Sequence, residues 1–163
     1  MKRFYIYIVA ALALALLGLL PLRGTDAAEL IPVRVLLVES EGNQVRVRCD
    51  HGVEGTGRNW ELALENLQSS APGQVFFGTV EHVIVARSAR YLLPRLASAG
   101  ELRPAAKLYD CVQALPEAET AAEFLHAHPG SLTLCRARAA ILAGKEPDVP
   151  KILETDGRLL LAE

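Results

Sequence analysis

Cysteine is scarce in this chain. Cys49, Cys111 and Cys135 are the only three in 163 residues, far apart, with no Cys-x-x-Cys pair and no Cys/His ligand spacing. A structural zinc and a disulfide-stapled framework are therefore not expected. Cys49 and Cys111 fall on expected strands, where a free thiol behaves as a small apolar side chain. Three inert thiols are the reading preferred over one disulfide formed outside the cytoplasm.

Excess positive charge is absent too: 17 Lys and Arg face 19 Asp and Glu, for a formal charge of −2. Residues 1–28 hold three of the basic side chains and one acidic, so the remainder stands at −4, which argues against a nucleic-acid surface. Aromatics make up 6%, with one Trp, and neither an internal repeat nor a low-complexity tract is present.

Catalytic chemistry is missing as well. A nucleophile with its base, two carboxylates in a cleft or a metal cluster cannot be drawn from the residue pattern. Glu81-His82 comes nearest, but strand neighbours point to opposite sides, so the pair is not expected to act together. On that strand Thr79, Glu81 and Val83 share one face, and His82 lies with Val80 and Ile84 as a hydrogen-bonded core residue. His126 and His128 are two apart on an expected helix, about 200° from each other, and read as surface histidines. Gly52, Gly55 and Gly57 precede a helix start, where amides attract anions, yet they match neither the dinucleotide fingerprint nor the P-loop. They are read as a flexible loop over residues 50–57. Accordingly the chain is read as a non-enzyme, with no catalytic, cofactor-binding or metal-ligating residue and no cofactor.

What is present begins with an export pattern. Lys2 and Arg3 precede an apolar run over residues 4–20, and Thr25 and Ala27 supply small residues before a cut after Ala27. A run of 17 residues is also at the lower limit for a membrane anchor. Residues 1–28 are thus a cleaved signal or a retained N-terminal anchor, and residues 29–163 a single mixed α/β domain with a core of its own. Either fate places that domain outside the cytoplasm, membrane-associated or secreted.

Within the domain, residues 31–40 and 44–49 alternate around Glu41-Gly42-Asn43, with Val45 and Val47 inward and Arg46 and Arg48 outward, as in an antiparallel hairpin with one wetted face. Asn59 caps a helix with Glu61 in its first turn, and Trp60, Ala63, Leu64 and Leu67 form its buried stripe. Residues 74–86 form the most apolar internal segment, and a central strand over residues 75–86 is expected, rich in Val and Ile and covered on both faces. Ser88 is expected to cap a helix with Ala89, Leu92, Leu93 and Leu96 on its apolar face, kinked at Pro94. A strand over residues 106–112 follows, then helices over residues 117–127 and from a Ser131 cap to residue 143. Thr155-Asp156-Gly157 joins two last strands, 151–154 and 158–162, in a hairpin. The fold class is α/β (α+β): a mixed sheet of five to six strands with helices packed on it.

Three pieces, in this order along the chain, carry a resemblance. They are Gly55-Thr56-Gly57, then Ala63-Leu64-Glu65-Asn66-Leu67, then Phe76-Phe77-Gly78-Thr79 leading into Val83-Ile84-Val85. With Glu101-Leu102-Arg103 further on and Gly24-Thr25-Asp26 after the leader, the chain resembles the N-terminal domain of the Ger(x)C family of spore-germination receptor C-subunit lipoproteins over residues 24–112. The family's lipobox Cys is lacking here, and its later domains have no counterpart, so the resemblance is to a truncated relative. It implies a non-enzymatic extracytoplasmic subunit or accessory of a membrane-associated germinant receptor. The implied partners are membrane-embedded receptor subunits, with no nucleic acid; an uncleaved N-terminal apolar segment would itself bind the membrane. An exported binding module of unrelated role, using a concave apolar pocket, is the alternative; an exported enzyme is the weakest reading.

Overall fold

The computed structural model describes residues 30–155 and 157–162. The apolar leader, and with it the choice between cleavage and anchorage, lies outside the described residues. Among the described residues no helix is long and apolar enough to cross a membrane.

The hairpin at the start of the domain forms as its alternation requires. Strands β2 (Val35–Glu41) and β3 (Gln44–Cys49) pair antiparallel, with Val38 opposite Val47 and Glu39 opposite Arg46. Residues 50–57, expected as a flexible loop, instead yield a third strand, β4 (Glu54–Gly57), antiparallel to β3. Glycine composition misled here. Gly55 and Gly57 face helix α1 (Trp60–Ser70), and a Cβ on Gly55 would fall on the backbone of Ala63 and Leu67, well inside contact distance. A strand can lie this close to a helix only where side chains are missing. Helix α1 has the expected cap, the Asn59 Oδ1 accepting from Leu62 N at 2.9 Å, and buries Trp60, Ala63, Leu64 and Leu67.

The expected central strand is broken. Residues 74–86 give β5 (Gln74–Phe76), a 3-10 turn (Phe77–Thr79) and β6 (His82–Ala86). Strand β5 leaves the main sheet and pairs parallel with β1 (Leu30–Pro32), Pro32 standing opposite Phe76. Strand β6 pairs parallel with β2, Val35 standing opposite His82. Three more residues separate β5 from β6 than β1 from β2, and the 3-10 turn takes up the excess. The Thr79 hydroxyl fixes it, accepting from Val33 N at 3.0 Å and donating to Phe76 O at 2.7 Å. Alternation therefore stops at this turn, and Val80 packs with Val83 and Val85 rather than with His82 and Ile84.

Beyond β6 the expected helix is mostly 3-10 (Arg87–Leu92), followed by one α-helical turn, α2 (Leu93–Leu96). Ser88 caps nothing there; its Oγ accepts from Ser40 N at 3.1 Å. Pro94 stands at the start of α2, where no amide partner is needed, and so produces no kink. Strand β7 (Lys107–Cys111) then pairs parallel with β6, and helix α3 (Ala118–Ala127) follows. Helix α4 (Leu134–Leu142) is capped by Thr133, not Ser131, because the Thr133 hydroxyl reaches Arg136 N at 3.2 Å. Strands β8 (Lys151–Thr155) and β9 (Arg158–Ala162) form the expected hairpin, Gly157 taking a positive φ of 71°.

Among the described residues the result is a mixed α/β fold with a main sheet of seven strands, not the five to six expected, because residues 54–57 add β4; its order is β4-β3-β2-β6-β7-β8-β9, beside the small β1-β5 pair and four helices. Strand β6 is the middle strand and all five of its residues are buried. One sheet face packs Val83, Val85 and Leu108 against α1, α2 and α4. The other packs Ile84, Tyr109 and Ile152 against Ala121, Ala122 and Leu125 of α3. Among the described residues α3 alone covers the second face, burying Val35 and Leu37 of β2 but leaving Glu39, Glu41, Arg46 and Arg48 at the far end of β2 and on β3 in contact with water.

Candidate functional site

Three places bring polar side chains together. The first is at the centre of the sheet. His82 opens β6 and Tyr109 lies on β7, both on the α3 face and both buried. His82 Nδ1 is 3.0 Å from the Tyr109 hydroxyl, whose oxygen accepts from Gly130 N at 3.0 Å. Glu81 lies just before β6, not within it, so strand alternation does not turn it away. Its Oε2 stands 4.0 Å from His82 Nε2, and Arg103 holds its other oxygen at 3.5 Å. Glu81 and His82 thus stand closer than alternation along one strand would place them. Glu81 beside Nε2 favours the proton on that nitrogen, leaving Nδ1 to accept from the Tyr109 hydroxyl. Burial depresses the His82 pKa from 6.5 to about 4, with Glu81 opposing, and pushes the Tyr109 phenol up. The imidazole is neutral at pH 7, as the reading of His82 as a hydrogen-bonded core residue requires.

A second group of buried charges was not foreseen. Asp50, at the end of β3, is buried; its carboxylate accepts from Arg34 N at 3.1 Å and pairs with Arg34 Nε at 3.1 Å, fastening β3 to the start of β2. Asp110, on β7, is also buried: Oδ2 is 3.7 Å from Arg90 Nε, and Oδ1 has no hydrogen-bond partner among the described residues. The signal for Asp110 was in the sequence, an acidic residue inside the run Leu108-Tyr109-Asp110-Cys111. For Asp50 the neighbouring glycines masked it.

The third place is the wet face of β2, β3 and β4. Arg46 bridges Glu39 at 3.6 Å and Glu41 at 3.5 Å, and Arg48 reaches Glu39 at 3.5 Å. This ladder runs into a cleft of about 520 Å³, where Arg48, Asp50, His51 and Glu54 face Glu117 and Glu119 at the start of α3. The His51 ring is tied by Nε2 to Pro32 O at 2.8 Å. Both signs of charge line an open cleft, a surface suited to a complementary polar surface rather than to enclosing an apolar molecule.

His126 and His128 sit at the exposed end of α3, the His128 ring packed on Phe124 at 5.2 Å. Among the described residues no group of three or more His, Cys, Asp or Glu is placed to hold a metal ion. Cys49 and Cys111 are buried free thiols whose pKa values burial raises, and Cys135 is exposed. Two of the pieces that carry the resemblance, residues 55–57 and 63–67, meet at one strand–helix junction, while Phe76 lies on the separate β1–β5 pair. Gly55 and Gly57 touch α1, and the Asn66 side chain donates to Thr56 O at 2.6 Å. Compared with family models, characterised proteins and solved structures, the chain gives no match.

Proposed function

We propose that this chain is a non-enzymatic extracytoplasmic subunit or accessory of a membrane-associated spore germination receptor, acting through protein contacts with membrane-embedded subunits. The observation that supports the reading is the contact between two pieces of the resemblance, residues 55–57 and 63–67. Gly55, Gly57, Ala63, Asn66 and Leu67 are separate in sequence yet share one strand–helix junction. A pattern required by one junction is what a shared fold would preserve. The polar chemistry agrees with a contact role: the His82–Tyr109 pair is buried, while exposed charge is spread as paired Arg and Glu on a sheet face. The alternative, an exported binding module, called for a concave apolar pocket; the cleft at Arg48 and Glu117 is charged and open, and a smaller hollow of about 250 Å³ lined by Ala97, Ala99, Leu102 and Leu134 is the place such a module would use.

Fractionation tests the reading. Sporulating cells are separated into cytosol, membrane and medium, and the mass of the chain in each is measured. The chain is expected in the spore membrane fraction, cross-linked to a multi-span protein. Recovery from the cytosol, or from the membrane with no such partner, contradicts it.

A further inference from the structure

The two edges of the main sheet are finished differently. At β4 the helix α1 lies alongside, and the Asn66 side chain occupies Thr56 O. Side-chain capping and a covering helix are how sheet edges are ordinarily closed. At β9 neither device is present among the described residues: the strand reads Arg-Leu-Leu-Leu-Ala, its exposure alternates, and Leu160 is 51% exposed.

Which backbone groups are free follows from register. Thr155 stands opposite Arg158 across a two-residue loop, so that pair exchanges both its bonds, and alternation gives the same to Leu153 with Leu160 and Lys151 with Ala162. The amides and carbonyls of Leu159 and Leu161 therefore point away from β8, out of the sheet. An antiparallel copy of β9 centred on Leu160 presents the matching groups. Leu159 meets Leu161 of the second copy, and Leu161 meets Leu159, which satisfies both outward pairs on each chain. Leu160 then faces Leu160 as a non-hydrogen-bonded pair, the closer kind, burying the exposed leucine. Charge selects this orientation, because Arg158 falls opposite Ala162, whereas a parallel copy would set Arg158 against Arg158.

The geometry points to β9 as a self-association surface through which two copies of this chain join their sheets antiparallel about Leu160. The assignment is independent of the germination reading. A five-residue edge buries less than the roughly 1,200–2,000 Å² of a standard interface, so the association is reversible and is best read by trapping.

The test uses the full chain in detergent micelles, with the exposed Cys135 replaced by Ser and either Leu160→Cys or Arg158→Cys added. Cα atoms of facing Leu160 residues are within disulfide range, while the two Arg158 positions are displaced by about 13 Å along the strands. On mild oxidation Leu160→Cys is expected to run as a dimer without reductant and Arg158→Cys as a monomer. Equal cross-linking of both, or none at Leu160→Cys, overturns the assignment. Leu160→Lys, at a half-exposed site, keeps the fold but sets two cations on the axis, and is expected to lower the dimer fraction in sedimentation at least tenfold. Association through the apolar leader would survive Leu160→Lys, and that result also overturns it.

Discussion

Gly55 on β4 stands against the backbone of Ala63 on α1 with no side chain between them. Strand and helix touch directly, which brings Trp60 and Leu67 into the core. Gly55→Ala must move helix backbone rather than a flexible side chain. We expect a loss of about 3 kcal/mol, the upper range of overpacking, measured by urea denaturation. Gly42→Ala is the comparison. Its Cβ meets nothing, and the residue's φ of +59° alone sets a loss of about 1–2 kcal/mol. Equal losses at both positions would remove the close contact from the account.

The buried imidazole of His82 makes stability depend on pH in a defined direction. Its pKa is about 4 in the fold against 6.5 in an unfolded chain, so between those values the unfolded state binds the extra proton. Stability is therefore complete above pH 6.5, falls as pH drops toward 4, and loses nothing more from this group below that. The total from this residue is about 3 kcal/mol. Denaturation of the parent and His82→Gln at pH 4.5 and 7.5 isolates it: the parent's excess over the variant is expected to shrink at the lower pH.

Asp110 keeps one carboxylate oxygen unpartnered and relies on Arg90 at 3.7 Å for the other. Removing the cation strands a buried charge. Arg90→Ala is expected to cost about 2 kcal/mol, and under 1 kcal/mol when Asp110→Asn has already removed the charge. A double-mutant cycle by thermal unfolding measures the difference, and an additive cycle would show that the pair is not coupled.

Thiol accessibility gives a rapid check on the packing. Cys49 and Cys111 are buried with raised pKa values, and Cys135 is exposed on α4. The native chain should take up one equivalent of a thiol reagent quickly and the other two only on unfolding.

Local rules succeeded where the structure is local. The β2–β3 and β8–β9 hairpins follow from alternation and from Asp156-Gly157, and the α1 stripe from the spacing of Trp60, Ala63, Leu64 and Leu67. They failed where a distant partner decides. Ser88 serves Ser40 instead of capping a helix, and Thr79 ties Val33 instead of continuing a strand. Gly55 and Gly57 are needed for contact, not for turning, and composition alone cannot tell those uses apart. The Glu81–His82 approach was hidden for the same reason, since the break before β6 reorients Glu81.

The germination role is tested most directly by the spores themselves. A strain lacking this chain is sporulated, its spores are exposed separately to amino-acid, sugar and nucleoside germinants, and loss of refractility is timed beside a complemented strain. The response to at least one germinant class is expected to be slowed tenfold or more, to recover in the complemented strain, and not to be restored by Gly55→Ala. Spores of the deleted strain that respond to every class at the parental rate would contradict the germination role.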